Sequence, residues 1–137
     1  MDNSIKAILS NSKNIVIIGA STNPNKDSYK VMKFLKEKGF NVIPVNSLTS
    51  NKRILGEKIY KDIDDINIDI DIVNIFRPSS EIFKIVNKIV NKKEKKVWLQ
   101  LEVFCNQSKI KLNNLGINFI QNKCTKIEYK KLIKSVD

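Results

Sequence analysis

Short apolar runs alternate with helix-spaced apolar stripes along almost the whole chain. Residues 15–18, 42–45, 70–76, 97–101 and 117–120 are rich in Ile and Val and carry too few polar positions to leave one face wet. They predict strands covered on both sides. Between them, Val31, Phe34 and Leu35 recur at i, i+3, i+4 and stop at Gly39, and Ile82, Ile85, Val86 and Ile89 make a longer stripe. Both predict amphipathic helices. Residues 110–115 give a weaker helical pattern, and Ile5, Ile8 and Leu9 suggest a short leading helix. Strand and helix in regular succession, joined by crossovers of this length, specify an α/β fold. The expected architecture is a Rossmann-like, doubly wound, mostly parallel sheet of five strands with helices on both faces. In such sheets ligands bind beyond the carboxyl ends of the strands, where strand order reverses.

That rule directs attention to the residues just past each strand. After the first comes Gly19-Ala20-Ser21-Thr22-Asn23-Pro24. A dinucleotide fingerprint would carry three glycines there, the second letting a pyrophosphate approach the backbone. Here Ala20 and Ser21 put small side chains in the turn, Ser21 and Thr22 add hydroxyls, and Lys26 adds a mobile cation. Ser28 or Asp27 is expected to cap the following helix, whose free N–H groups and dipole favour an anion. The loop suits phosphate, although an ordinary strand-to-helix turn would also accommodate these residues. After the second strand, Val45-Asn46 stands where NAD sites place an acid for the ribose hydroxyls. An amide admits an adenosine bearing an extra phosphate, with Lys52, Arg53 and Arg77 as candidate cations. Phe76-Arg77 follows the third strand, and the Arg77 fork suits bidentate phosphate contact or a rim ion pair. Gln100 closes the fourth strand.

Composition narrows the chemistry. The chain has 137 residues, the size of one domain, and 42% hydrophobic content. No apolar run is long enough to span a membrane, and the N-terminus lacks the pattern of a secretory signal, so a soluble cytoplasmic protein with no membrane partner is expected. Histidine is absent, which removes imidazole as base, phosphoryl carrier or metal ligand. Cys105 and Cys124 are expected to be buried thiols rather than a redox pair or zinc ligands. The formal charge of +11 comes from 23 Lys and two Arg among abundant Asn and Ile. Without a recognition motif or interleaved aromatics, this is no evidence for specific nucleic-acid binding. The Lys92-Lys93-Glu94-Lys95-Lys96 run reads as a solvated helix end.

Several ordered segments carry a resemblance. Gly19-Ala20-Ser21, Ser28-Tyr29-Lys30-Val31-Met32, Val42-Ile43-Pro44-Val45-Asn46, Ile54-Leu55-Gly56, the run from Asp71 to Arg77, Val97-Trp98-Leu99-Gln100-Leu101 and Cys124-Thr125-Lys126-Ile127-Glu128 resemble the small CoA-binding domain proteins. Those proteins are in turn similar to the nucleotide-binding domain of the succinyl-CoA synthetase alpha subunit. The match runs from about residue 13 to 133. It implies a single CoA-binding domain over residues 1–137 that holds coenzyme A, or an acyl-CoA, through its ADP portion. Gly19, Ala20, Ser21, Lys26, Ser28, Val45, Asn46, Phe76, Arg77 and Gln100 are the expected ligand-binding residues, with no catalytic or metal-binding residue. Two departures stand out. Glu102 replaces a common glycine after Gln-Leu, and Tyr129 replaces a usual histidine, where i, i+3, i+4, i+7 spacing with Leu132, Ile133 and Val136 predicts packing. ADP-forming acyl-CoA synthetases resemble this chain but require further domains and a phosphorylated histidine, so a ligand-binding module is expected. The competing readings are a small NAD(P)-dependent reductase and another nucleotide-binding protein.

Overall fold

In a computed structural model, which describes residues 2–90 and 96–133, five strands form one sheet in the order β2-β1-β5-β6-β7. These are β1 (Asn14–Ile18), β2 (Asn41–Val45), β5 (Ile72–Ile75), β6 (Lys96–Leu99) and β7 (Asn118–Ile120), and every pairing is parallel. A two-stranded antiparallel hairpin, β3 (Arg53–Ile54) and β4 (Glu57–Lys58), lies between β2 and β5 in sequence. The α-helices among the described residues are α1 (Asp2–Asn11), α2 (Asp27–Glu37), α3 (Ser79–Ile89), α4 (Asn106–Asn114) and α5 (Thr125–Leu132).

The double layering follows from strand alternation. Ile15, Ile17, Ile72 and Trp98 point to one face, where they pack with Ile5 and Leu9 of α1, Met32 and Leu35 of α2, and Cys124 before α5. Val16, Val73, Ile75, Val97 and Leu99 point to the other, against Ile82, Val86 and Ile89 of α3 and Leu112 of α4. Residues with period two thus serve two cores, which is why the strands read as continuous apolar runs. The fully buried Trp98 belongs to the first core, its indole Nε1 donating to the Lys123 carbonyl at 2.8 Å. Tyr129 packs as its spacing predicts, edge-on to Phe34 and Phe40 with ring centroids 5.6 and 5.8 Å away. Val136 and residues 92–95 of the basic run lie outside the described residues.

β2 is an edge strand, and this explains its proline. Pro44 has no N–H to give, but its carbonyl accepts from Tyr60 N at 3.0 Å while Asn46 N donates to Tyr60 O at 2.9 Å. The segment after the hairpin therefore covers the edge, consistent with proline's confinement to such positions. The hairpin turns through Leu55 (φ 50°) and Gly56 (φ 81°), the paired left-handed residues of a tight two-residue turn. Asp71 ties the start of β5 to β1, its Oδ2 accepting from Lys13 N and Asn14 N at 2.8 and 2.9 Å. Among the described residues no helix is long and apolar enough to cross a membrane.

Candidate functional site

Chain order runs from β1 outward to β2 on one side and from β5 outward to β7 on the other, so the reversal falls between β1 and β5. Their C-terminal ends are Ile18 and Ile75, followed by Gly19 and by Phe76-Arg77. These two exits nearly touch. A Cβ placed on Gly19 would stand 2.7 Å from the Phe76 carbonyl oxygen and 3.0 Å from Arg77 Cδ, and Gly19 itself has φ 84°. Only glycine fits, both for its backbone conformation and for this close approach.

The narrow neck joins two lobes of one crevice. The first, of about 540 Å³, opens over β2 and α3, with Val45, Ile63, Ile85 and Ile89 as apolar walls. The second, of about 770 Å³, opens over β6 and α5, between Ser21, Ser28 and Lys26 on one side and Gln100, Leu101 and Ile127 on the other. Gly19, Asn46 and Arg77 line both. Cations outnumber acids along the walls: Arg77 and five lysines face Asp27, Asp62, Glu81 and Glu102. Such a balance suits an anionic ligand.

Of the residues expected from sequence, Gly19, Ser21, Lys26, Ser28, Asn46, Phe76, Arg77 and Gln100 line the second lobe, and Val45 lines the first. Ala20 is buried beneath the loop, its N–H given to the Val45 carbonyl at 3.2 Å and its carbonyl accepting from Asn46 Nδ2 at 2.7 Å. Asn46 is heavily committed. Its Oδ1 also accepts from Leu48 N at 2.8 Å and Thr49 N at 3.1 Å, so this side chain shapes the rim that follows β2. Arg77 makes a bidentate pair with Glu81 one helical turn on, Nε to Oε1 at 3.1 Å and Nη2 to Oε2 at 2.7 Å. The pair is more than a third exposed on each side, where it is screened and weakly held.

The expected cap at α2 is not formed by either candidate. The helix begins at Asp27 with Lys26 in the capping position and no side-chain bond, which places Asp27 and Ser28 inside the first turn. Ser28 reaches backward instead, its Oγ accepting from Ser21 N at 3.1 Å, while Ser21 Oγ accepts from Asn23 N at 3.0 Å. The two hydroxyls brace the loop that a three-glycine fingerprint would leave bare. Of the alternative cations, Arg53 is turned onto its own hairpin, Nη1 donating to Gly56 O at 2.9 Å, and neither it nor Lys52 lines a lobe.

Sequence reasoning missed Lys61 and Lys88, which flank the first lobe. Lys88 Nζ lies 2.6 Å from Asp62 Oδ2, and that hydrogen bond holds its pKa above the ordinary lysine value. Ile85 belongs to the apolar stripe of α3, and its half-buried side chain both packs against the second core and lines the lobe. Glu102 explains why glycine is common at its position: φ is 65°, a left-handed conformation that costs a residue with a Cβ. Asn122 Oδ1 accepts from its N–H at 2.8 Å. Both cysteines are free thiols. Cys124 is buried as expected, whereas Cys105 is only half-buried because it caps α4, Ser108 N donating to its Sγ at 3.4 Å.

Comparison with known proteins accords with this geometry. A protein of Bacillus subtilis (strain 168), YneT, described as uncharacterized, is 30% identical over 91% of both chains. The Acetate--CoA ligase [ADP-forming] II subunit alpha of Pyrococcus furiosus is 39% identical over 50% of this chain, a match that spans only 15% of the subunit. A solved structure from Thermus thermophilus superposes with a TM-score of 0.92 at 28% identity, covering 97% of this chain and 99% of that one. The model of the CoA binding domain matches residues 13–130. With that match over most of its length, and with the crevice at the sheet's reversal point, the chain belongs to the CoA binding domain family.

Proposed function

We propose that the crevice holds coenzyme A, or an acyl-CoA, with the adenosine in the first lobe, the pyrophosphate at the neck and the pantetheine arm in the second lobe. One observation carries this reading: two lobes of different character meet at a neck bare of side chain at Gly19 and flanked by Arg77. The apolar walls of Val45, Ile63, Ile85 and Ile89 suit the two faces of a purine. Lys61, Lys88 and Arg77 supply positive charge for the phosphate on the ribose. At the neck, the loop braced by Ser21 and Ser28 opens α2, whose first turn offers free N–H groups to a pyrophosphate.

Coenzyme A would bring a reactive thiol, and this chain's residues would bind and orient it. Arg77 would exchange Glu81 for phosphate oxygens, trading one bidentate partner for another. The reading is of a ligand-binding module, without catalysis of its own. Calorimetric titration with coenzyme A tests it: saturable one-to-one binding is expected, and no heat of binding at millimolar ligand would overturn it.

A further inference from the structure

The second lobe contains a polar device with an orientation fixed from within the core. Asn74 is fully buried in β5, between Val73 and Ile75, and it points to the face that α5 covers. Its Nδ2 lies 3.3 Å from the backbone carbonyl of Trp98. A carbonyl can only accept, so the amide nitrogen must face it and the orientation of the Asn74 amide is settled. Consistently, Asn74 Oδ1 accepts from the Thr125 hydroxyl at 3.0 Å. The second proton of Nδ2 is then directed to Gln100 Oε1 at 3.4 Å. That assigns Gln100 as well: its oxygen is the atom turned inward to Asn74.

We infer that Gln100, held by Asn74 and Thr125, presents its Nε2 to the second lobe as a fixed hydrogen-bond donor that reads a carbonyl oxygen on the ligand's pantetheine or thioester arm. Gln100 lines this lobe while being only 6% exposed, so the carboxamide has little freedom to swing away. Among the described residues Nε2 has no partner, and it is not sealed off as a buried orphan. The neighbouring walls, Leu101, Val103 and Ile127, offer no competing donor from their side chains. A carbonyl oxygen is the acceptor that an uncharged amide donor selects where the walls beside it are apolar. Asn74 and Thr125 are positioning residues, since they touch Gln100 or each other rather than the ligand.

This inference rests on the proposed coenzyme A reading, and the test separates the two. Wild type, Gln100→Met, Thr125→Val and Thr125→Ser are titrated with coenzyme A, acetyl-CoA and adenosine 3′,5′-bisphosphate, which lacks the arm. Gln100→Met keeps the length of the side chain and removes the donor. It is expected to weaken coenzyme A or acetyl-CoA about tenfold and leave the bisphosphate within about twofold. Thr125→Val should give a smaller loss in the same direction, restored by Thr125→Ser. Equal loss for both thioester and free thiol assigns an amide carbonyl, and a larger loss for acetyl-CoA assigns the thioester. Unchanged affinity for both in folded Gln100→Met, or an equal loss for the bisphosphate, overturns the donor role while leaving coenzyme A binding intact. Failure of wild type to bind coenzyme A overturns both.

Discussion

The two lobes of the crevice differ in how their polar side chains are committed. In the first, two of the polar side chains are already committed within the protein: Asn46 bonds to Ala20, Leu48 and Thr49, and Lys88 bonds to Asp62. Val45, Ile63, Ile85 and Ile89 give this lobe apolar walls, and Lys61 lines it beside the Arg77–Glu81 and Lys88–Asp62 pairs. The second lobe keeps a donor in reserve, Gln100, fixed by Asn74, beside the braced hydroxyls of Ser21 and Ser28. The first lobe is suited to reading shape and the second to reading hydrogen bonds. Their junction at Gly19 and Arg77 belongs to both, so changes there should disturb every ligand, and changes in one lobe should disturb only the matching part.

The largest effect is expected at the junction. Gly19→Val would force a Cβ to within 2.7 Å of a backbone oxygen at φ 84°, costing on the order of 3 kcal/mol or more of stability. Urea denaturation should show an earlier midpoint, with binding lost in both lobes; a variant as stable as wild type would deny that the neck is closed to side chains. Next comes Arg77→Ala. It should weaken coenzyme A by about 1.5–3 kcal/mol, and dephospho-CoA decides which phosphate is read. Loss for both ligands places Arg77 on the pyrophosphate, loss for coenzyme A alone places it on the ribose phosphate, and loss for neither makes it the partner of Glu81 only.

Within the first lobe, Ile85→Ala should reduce affinity for coenzyme A and for adenosine 3′,5′-bisphosphate alike, by about 1 kcal/mol, through lost apolar contact. A loss confined to coenzyme A would mean that the adenosine lies elsewhere. The smallest effect is expected from the Asp62–Lys88 pair at the mouth of that lobe, exposed by 37% and 53% on its two side chains. Lys88→Met should change stability by less than about 0.5 kcal/mol. Because the folded pKa of Lys88 is raised, the pair's contribution is fully present below the unfolded lysine value and is lost only as pH rises through the higher folded value. Melting temperatures of wild type and Lys88→Met should therefore run parallel between pH 6 and about pH 9, well below the ordinary lysine range.

The sequence made the scaffold more legible than the chemistry. Strands that serve two cores must be apolar on both faces, and helices that cover them must carry stripes, so β1, β2, β5 and β6 could be read directly. The hairpin was lost because its strands are two residues long and its turn uses Leu55, a residue rarely found with positive φ. Most of the residues expected to bind ligand do line the crevice, because the rule about strand ends locates them without knowledge of side-chain contacts. What they do there was hidden. Ser28 bracing a loop instead of capping α2, Asn46 spending its amide on the rim, and Arg77 pairing with Glu81 all depend on where a side chain turns after its backbone is placed. The first lobe was the least visible, because Lys61 and Ile63 come from the segment after the hairpin, far in sequence from Ile85, and Ile85 shares its stripe with core residues.

The central claim is that one ligand spans both lobes, and melting in the presence of coenzyme A, adenosine 3′,5′-bisphosphate and NAD at equal concentration tests it most directly. Binding to the native state alone raises stability by about 2.7 kcal/mol at a hundredfold excess over Kd. Coenzyme A should give the largest shift, the bisphosphate a smaller one and NAD the least. A shift with NAD that equals or exceeds that of coenzyme A would contradict the account.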